Sequence, residues 1–535
     1  MIKAADHLSV YSVFSAQAQH QQNADFICVP AAACRAYSTG EIRLSYATAK
    51  TAIDDLIKLY VGNDVTVGSR VAIAFDARAD VYLHLLALNA VGASLVPLNM
   101  DGSDEEIHYV IGHSDACCVH GADEHLPRLT KIAATVENAT MLNSGRHGEQ
   151  KVAETDPSQE AALLYTSGTT GKPKACMLSN EYFLRMGDWY NELGGSCALE
   201  STDRLLTPLP PNHMNALVTS FMGMLVAGGA IIQLDRFHPK SWWQTVREQR
   251  ASIIHYLGVM PAILLKLPER DDENFSEQLK FGFGAGSDPR HQAIFEERFG
   301  FPLIEAWAMT ESGAGGVTIA HKAPRHVGKR CIGKPVSSME YRLVDENDVD
   351  VAPGAEGELL VRSRGSKPRA GFFSGYYKDI AATEEGWKGD WWHTGDVVRA
   401  DDEGSLFFVD RRKNVIRRSG ENIAAVEVEA ALLREESVLN CAVCAVPDEI
   451  RGDEVFALIV PSGAANESVA GEIFESLMQR LAYFKVPGYI HFTDALPLTP
   501  SQKVKRGVVK TEARALVDAG NAFDFRSLKK RRKLD

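Results

Sequence analysis

The segment AALLYTSGTTGKPKACMLSN, residues 161–180, joins an apolar strand to a loop rich in glycine, hydroxyl and ammonium groups. The strand covers residues 161–165, and the loop consists of Thr166, Ser167, Gly168, Thr169, Thr170, Gly171, Lys172, Pro173 and Lys174. Glycines let backbone N–H groups turn toward an anion, and the hydroxyl and ammonium groups add further donors. The segment therefore predicts a polyphosphate site at the end of a buried strand.

This loop is not a Walker motif. Thr166 and Pro173 stand where that motif needs a glycine and a serine or threonine. A plain surface turn would not need so many donors within nine residues. The loop therefore indicates a polyphosphate site of a different kind.

The composition is that of a globular protein with more than one domain. The chain has 535 residues and a formal net charge of −13, with 45% hydrophobic and 24% charged residues. Its acidic balance argues against a nucleic-acid partner, which would need clustered Lys and Arg. We interpret the basic run from Lys529 to Lys533 as a solvated tail.

Nine scattered cysteines do not predict a disulfide framework. Cys441 and Cys444 form a CxxC pair, but no second pair or nearby histidine completes a zinc site. Residues 438–446 have the pattern of a buried strand, in which an offset of three places two side chains on opposite faces. We interpret both thiols as core residues.

Two uncharged stretches, Val81 to Met100 and Ala216 to Leu234, are each interrupted by glycine. A helix, a glycine cap and a short buried strand explain each better than a membrane span does. Such joins are typical of an α/β fold with mostly parallel sheets. The N-terminal sequence MIKAADHLSV has no pattern of a secretory signal, so we expect a cytoplasmic protein without a membrane span.

The amino-acid composition of the chain changes near residue 410. We predict a large domain over residues 1–412. A small α+β domain would follow over residues 413–515, with strands at CAVCAV and EVFALIV and a helix at about 469–481. The polar, basic end, residues 516–535, is expected to be poorly ordered.

TSGTTGKPK, residues 166–174, resembles the phosphate loop of the adenylate-forming superfamily, which includes acyl-CoA synthetases, peptide-synthetase adenylation domains and firefly-type luciferases. Other segments match in the family's order, and the resemblance spans the chain from about Gly92 to Lys510. It implies a large N-terminal domain, which would hold the ATP and acyl sites, and a small mobile C-terminal domain. It also implies that a carboxylate attacks the α-phosphate of ATP, with Mg²⁺ present, so that pyrophosphate leaves and an acyl-adenylate remains.

Two segments resemble the adenine and magnesium sites of that family. By the match of EAWAMTES, residues 305–312, Trp307 stacks on adenine, Thr310 contacts the α-phosphate and Glu311 holds Mg²⁺. Trp307 and Ala308 depart from the Tyr and Gly that are common there. FGAGSDP, residues 283–289, resembles the turn whose backbone lies against adenine, formed by Gly284, Ala285 and Gly286.

Other matches imply residues for the ribose, the acyl group and the reacting phosphate. Asp396 of HTGD and Arg411 of DRRKN would contact the ribose. His213, in LPPNHMNAL, would gate the acyl pocket. Lys503, in LPLTPSQKVKR, would be the catalytic lysine that bridges the carboxylate and the α-phosphate, although Gln502 replaces the usual glycine.

The same resemblance assigns Lys413 as a hinge and places Gly420 in a loop that enters the active site after the small domain rotates. VDRRKNVIRRSGENI and FKVPGYI look like the crotonobetaine/carnitine-CoA ligase branch. We therefore predict an acid:CoA ligase whose partners are ATP, CoA and a small-to-medium, carnitine-like carboxylic acid. The polar and aromatic residues that suggest such a pocket are Asn212, His213, Asn215, Trp189 and Tyr190.

Three alternatives remain open at this point. A stand-alone enzyme could load a carrier-protein pantetheine, and a luciferase-like oxygenase would share the first half-reaction. A nucleotide-binding regulator without catalysis is the third alternative. The joint presence of Glu311, Asp396, Arg411 and Lys503 argues against the regulator.

Overall fold

The computed structural model describes residues 2–166, 173–411, 415–497 and 504–530. The chain divides into two compact units. The first comprises Met1–Asn99, Val110–Leu164 and Ala175–Asp410. The second comprises Met100–Tyr109, Tyr165–Lys174 and Arg411–Asp535.

Strands and helices alternate through most of the chain up to residue 411. The strands are β1 (Asp25–Val29), β2 (Ile42–Ser45), β3 (Arg70–Ala74), β4 (Ser94–Pro97), β5 (Cys118–Gly121), β6 (Thr140–Met141), β7 (Glu160–Thr166), β8 (Lys174–Ser179), β9 (Arg204–Thr207), β10 (Ala230–Gln233), β11 (Ile253–Leu257), β12 (Phe281–Ala285), β13 (Leu303–Trp307), β14 (Thr318–Ile319), β15 (Cys331–Pro335), β16 (Met339–Val344), β17 (Glu356–Ser363), β18 (Gly375–Tyr376), β19 (Trp392–Ala400) and β20 (Leu406–Arg411). The helices are α1 (Val10–His20), α2 (Ala31–Cys34), α3 (Tyr46–Gly62), α4 (Asp80–Ala90), α5 (Asp104–His113), α6 (Leu126–Ala133), α7 (Asn180–Asn191), α8 (Phe221–Ala227), α9 (Trp242–Glu248), α10 (Val259–Leu265), α11 (Pro289–Phe299) and α12 (Ile380–Gly386).

These strands form two large sheets. The larger has the order β16-β17-β19-β20-β15-β14-β13-β12-β11-β9-β10-β1-β2, and its strands from β13 to β1 pair in parallel. The other has the order β18-β8-β7-β4-β3-β5-β6, with a parallel centre. The prediction of an α/β fold with mostly parallel sheets is confirmed, with antiparallel strands such as β14–β17 added at the ends.

Both uncharged stretches have the predicted form. Helix α4 is followed by Gly92 (φ 75°) and strand β4, and α8 is followed by Gly228 (φ 79°) and β10. Glycine adopts this left-handed conformation without the steric cost that a side chain would add. Among the described residues, no helix combines the length and the apolar character that crossing a membrane requires.

The remaining elements form an α+β unit with its own sheet. They are β21 (Val415–Arg418), β22 (Glu421–Ala424), α13 (Ala425–Leu432), β23 (Val438–Asp448), β24 (Gly452–Pro461), α14 (Glu467–Arg480), β25 (Tyr489–Phe492), α15 (Arg506–Asp518) and β26 (Phe523–Asp524). The sheet order is β22-β21-β24-β25-β26, and β23 pairs with β24. The segment expected to be poorly ordered after residue 515 is folded as far as Lys530, because α15 continues into it and β26 joins the sheet.

Strand β23 carries the CxxC pair as predicted. Cys441 packs in one buried cluster with Val428 and Ile473, and Cys444 packs in another with Val509 and Ala513. Burial raises the pKa of both thiols to about 12, so neither is a thiolate near neutral pH. The interpretation of both cysteines as core residues is confirmed.

A buried cluster of charged residues links the segment after α15 to this small sheet. The Glu454 carboxylate lies 2.8 Å from Arg418 Nε and 2.5 Å from Lys529 Nζ. Arg418 is 3% exposed, and the side chains of Glu454 and Lys529 are fully buried. Lys529 is therefore not part of a solvated tail, which corrects the interpretation made from the basic run.

Candidate active site

The adenine-type turn and the Thr-Glu segment meet at the ends of two neighbouring parallel strands. Strands β12 and β13 pair in register, with Gly284 opposite Glu305. Their carboxyl ends lie at the same edge of the sheet, which is where open α/β sheets place their ligands. The structure therefore brings together two segments that the sequence analysis had assigned separately.

A buried carboxylate holds the glycine turn after β12. Glu305 accepts hydrogen bonds from the backbone N–H of Gly286 at 2.8 Å and of Ser287 at 3.2 Å. The Tyr256 hydroxyl donates to the same carboxylate at 2.6 Å. Gly286 has a φ of 79°, and a Cβ on Gly284 would clash with the Tyr256 carbonyl. The Glu305 carboxylate therefore fixes the conformation of the turn, and the absence of a side chain at Gly284 lets β12 pack closely against Tyr256.

Sequence reasoning missed Glu305 and Tyr256. The one available signal was a carboxylate inside the apolar strand LIEAW, because a buried charge requires partners. The partners themselves lie 18 to 49 residues away in the chain, where no local pattern identifies them.

Trp307 and Asp396, which were predicted to contact adenine and ribose, touch each other. The indole Nε1–H of Trp307 donates to Asp396 Oδ2 at 2.8 Å. Trp307 is 6% exposed and Asp396 is 1% exposed. Asp396 lies in β19, and its backbone N–H donates to Thr394 Oγ1 at 3.0 Å. A ring face and a carboxylate are thus held side by side at the end of β13.

The predicted magnesium ligand is held by a tyrosine. The Tyr376 hydroxyl donates to Glu311 Oε1 at 2.7 Å, and Glu311 is 8% exposed. Burial raises the pKa of Tyr376, so its hydroxyl remains a neutral hydrogen-bond donor to Glu311. A fixed carboxylate oxygen is a suitable ligand for Mg²⁺, so Glu311 fits the ion.

The residue before it, Thr310, is also held by a tyrosine: the Tyr182 hydroxyl donates to the Thr310 carbonyl at 2.8 Å. Both tyrosines were missed by sequence reasoning.

The segment that follows His213 is a π-helical turn, Asn215–Ser220, which leads into α8. The Asn215 Oδ1 atom lies 2.9 Å from Nδ1 of His255, and the Tyr190 hydroxyl lies 2.9 Å from its Nε2. Burial lowers the pKa of His255 to about 3, so the ring is neutral. Since Asn215 Oδ1 only accepts, Nδ1 carries the proton and Nε2 accepts from Tyr190. Asn215 and Tyr190 therefore support the turn through a histidine that the sequence analysis did not identify.

Several predicted residues lie elsewhere or outside the described residues. Thr166 ends β7 and Lys174 begins β8, with Thr166 Oγ1 at 3.5 Å from the Lys174 carbonyl oxygen. Arg411 ends β20, and Gly420 has a φ of 92° between β21 and β22. The predicted residues outside the described ranges are Ser167, Gly168, Thr169, Thr170, Gly171, Lys172, Lys413 and Lys503.

The chain belongs to the AMP-binding enzyme family. The family described as AMP-binding enzyme matches residues 14–377, and the AMP-binding enzyme C-terminal domain matches residues 427–503. The protein is an ATP-dependent, AMP-forming ligase of the adenylate-forming acyl-CoA ligase type, which uses ATP, Mg²⁺ and CoA.

Known relatives cover nearly the whole chain. A crotonobetaine/carnitine–CoA ligase of Proteus mirabilis is 28% identical over 493 residues, 87% of this chain and 93% of the relative. A probable CoA ligase of Humulus lupulus is 27% identical over 510 residues, 91% of this chain and 95% of that relative.

Solved structures share the fold. An o-succinylbenzoate CoA synthetase from Bacillus subtilis superimposes with a TM-score of 0.81 at 22% identity, covering 93% of this chain and 98% of that one. An amide bond synthetase from Marinactinospora thermotolerans gives a TM-score of 0.79 at 21% identity, covering 93% and 99%. The fold class predicted from the sequence is confirmed.

Proposed function

We propose that this protein activates a small-to-medium, polar carboxylic acid as an acyl-adenylate and transfers the acyl group to CoA. The observation that carries this proposal is the convergence of Trp307, Glu311 and Asp396 at the edge of β12 and β13. A nucleoside triphosphate requires an aromatic ring that stacks on its base, a carboxylate that binds its Mg²⁺ ion and a carboxylate that binds its ribose hydroxyls.

In the first half-reaction, a carboxylate oxygen of the acid attacks the α-phosphorus of ATP. The bond from that phosphorus to the bridging oxygen breaks, and pyrophosphate leaves. In our proposal Thr310 contacts the α-phosphate, Glu311 holds Mg²⁺ and Lys503 neutralises charge between the two anions. The loop 166–174 holds the leaving phosphates, and Asp396 and Arg411 bind the ribose.

In the second half-reaction, the CoA sulfur attacks the acyl carbon, the bond to AMP breaks and the thiol proton passes to solvent. We propose that the small domain turns about Lys413 between the two steps and brings Gly420 to the site. Domain rotation lets one site perform two chemistries in sequence.

The first experiment identifies the products. With ATP, Mg²⁺, CoA and a panel of carboxylic acids, we expect AMP, pyrophosphate and an acyl-CoA, measured by chromatography of the nucleotide and thioester products. ADP and phosphate instead would indicate a different phosphoryl transfer and contradict the proposal. Acyl-adenylate that accumulates until a pantetheinylated carrier protein is added would favour the carrier-loading alternative.

The acid is proposed to be polar and carnitine-like. The names of the curated relatives support this class, as does a polar atom beside His213. The Asn212 Oδ1 atom is buried and has no hydrogen-bond partner among the described residues. A buried acceptor is costly unless a donor reaches it, and a hydroxyl group on the acid would supply one. In this proposal the ring of Trp189 also lines the acyl pocket, and aromatic faces suit a quaternary ammonium group.

The matching prediction compares four acids: carnitine, its analogue without the hydroxyl group (γ-butyrobetaine), octanoate and palmitate. We expect a higher kcat/KM for carnitine than for palmitate. Asn212→Ala should narrow the preference for carnitine over γ-butyrobetaine, because the carnitine hydroxyl group then loses the acceptor that distinguishes the two acids. Preference for palmitate over every short acid would refute the proposed acid class.

A further inference from the structure

The turn after His213 departs from α-helical geometry over six residues, Asn215–Ser220. The backbone N–H of Phe221 reaches the carbonyl of Ala216, which lies five residues back instead of the usual four. A π-helical turn of this kind holds one residue more than an α-helical turn, is rare, and is frequent at functional sites. Contacts from outside the turn are therefore needed to stabilise it against the α-helical alternative.

A buried serine supplies such a contact. The Ser220 hydroxyl donates to the carbonyl oxygen of Asn215 at 3.0 Å and so spans the same interval of five residues as the π-helical backbone bond. Ser220 Oγ also lies 2.8 Å from Nδ1 of His255, and this nitrogen, which carries the proton, donates to it. Ser220 and His255 are both fully buried, so water does not compete for these bonds. The serine is therefore fixed between the turn and strand β11.

Helix α8 begins directly after the turn, and its packing fixes its rotation about its own axis. All seven of its residues, Phe221–Ala227, are buried. A Cβ on Gly223 would lie 2.5 Å from the Tyr190 ring, so this face of α8 has no room to turn. Because α8 is fixed, the extra residue rotates the segment before it by about 100° relative to an α-helical path. The π-helical turn therefore sets the direction in which residues 212–215 project.

We propose that Ser220 is a positioning residue for the carboxylic acid: it holds the π-helical turn against His255, fixes the direction of residues 212–215, and thereby favours a polar acid over an aliphatic one. This inference rests on the acid site of the proposed function, in which residues 212–215 contact the acid. Ser220 is fully buried and acts through the backbone of the turn.

The test measures dissociation constants of carnitine and octanoate by calorimetry on the whole protein, with Mg²⁺ and α,β-methylene-ATP, an analogue that cannot release pyrophosphate. Ser220→Ala removes the hydroxyl group that holds the turn. We expect the preference for carnitine over octanoate to fall by about tenfold, the effect of one misplaced hydrogen-bonding group, with unchanged affinity for the analogue. An equal loss of affinity for both acids would overturn the inference, because it would reflect a general loss of structure.

Thr219→Val is the matched control. Thr219 belongs to the same turn and is 4% exposed, and none of the bonds around His255 among the described residues uses its hydroxyl group. This variant should keep the wild-type preference. Ser220→Cys retains the shape of the side chain with a weaker donor, so its preference should lie between those of the wild type and Ser220→Ala. If Ser220→Ala does not fold, a wild-type preference in Ser220→Cys would overturn the inference.

These binding measurements need no chemical step, so they separate the inference from the ligase reaction. A wild-type protein that releases no pyrophosphate from ATP, while Ser220→Ala loses the acid preference, would refute the proposed function and support the inference. A wild-type protein that forms the acyl-CoA, but whose acid preference survives in Ser220→Ala, would do the reverse. A wild-type protein that binds neither acid would refute both.

Discussion

Lys503→Ala is expected to abolish acyl-adenylate formation and to leave thioester formation from a supplied acyl-adenylate largely intact. The lysine is needed while the carboxylate and the α-phosphate are forced together, before either negative charge has dispersed. One well-placed charge of this kind contributes about 3–4 kcal/mol in the transition state, or roughly a few hundred-fold in rate. Pyrophosphate exchange and thioester formation, measured separately, give the two effects.

Two further variants test whether the effect is specific to Lys503 and whether the two half-reactions can be separated. Lys505→Ala removes a neighbouring ammonium group just before α15 and should change neither step by much. Lys413→Pro should have the opposite pattern to Lys503→Ala, because proline fixes φ at the proposed hinge. Adenylation would then proceed while transfer to CoA is blocked. Equal loss of both steps in Lys503→Ala would be incompatible with domain rotation in this protein.

Glu454→Gln is expected to destabilise the small sheet by about 3–5 kcal/mol, because it leaves the buried Arg418 guanidinium without its anion. Arg418 Nε and Lys529 Nζ both lie within 3 Å of the Glu454 carboxylate oxygens. Burial lowers the pKa of Lys529 to about 7, so this lysine can lose its proton near neutral pH once its anion is removed. Amide hydrogen exchange of β21 and β24 in the intact protein reports the free energy of opening this region.

Glu475→Gln, on the exposed side of α14, is the control and should change that free energy by less than about 0.5 kcal/mol. Lys529→Met should cost clearly less than Glu454→Gln, since Glu454 keeps Arg418 as its partner. If Glu454→Gln behaved like Glu475→Gln, the cluster would contribute nothing to stability.

Local patterns predicted the parts of the fold that depend on residues close together in the sequence. The glycines after α4 and α8 mark where a helix must end and a strand begins, and both were identified from the sequence. The buried character of β23 likewise follows from its own continuous run of apolar residues, Cys441 to Val446. Such features need no knowledge of the rest of the chain.

The sequence could not provide the contacts that hold the site. Trp307 and Asp396 are 89 residues apart, and Tyr376 is 65 residues from Glu311. The motifs assigned each of these candidate residues, but the neighbour that contacts it comes from another strand. Lys529 shows the same limit, because its basic neighbours suggested a solvated tail whereas its partner Glu454 lies 75 residues earlier.

The neutral His255 next to the π-helical turn makes the folded protein less stable in acid. Its pKa is about 3 in the folded protein, below the ordinary value of 6.5. The unfolded chain therefore binds more protons between these two values, so the stability of the folded state falls as the pH drops through that range. The contribution of the buried ring is fully present only above about pH 6.5. Tolerance of acidic surroundings would then depend on a histidine that takes no part in the proposed chemistry.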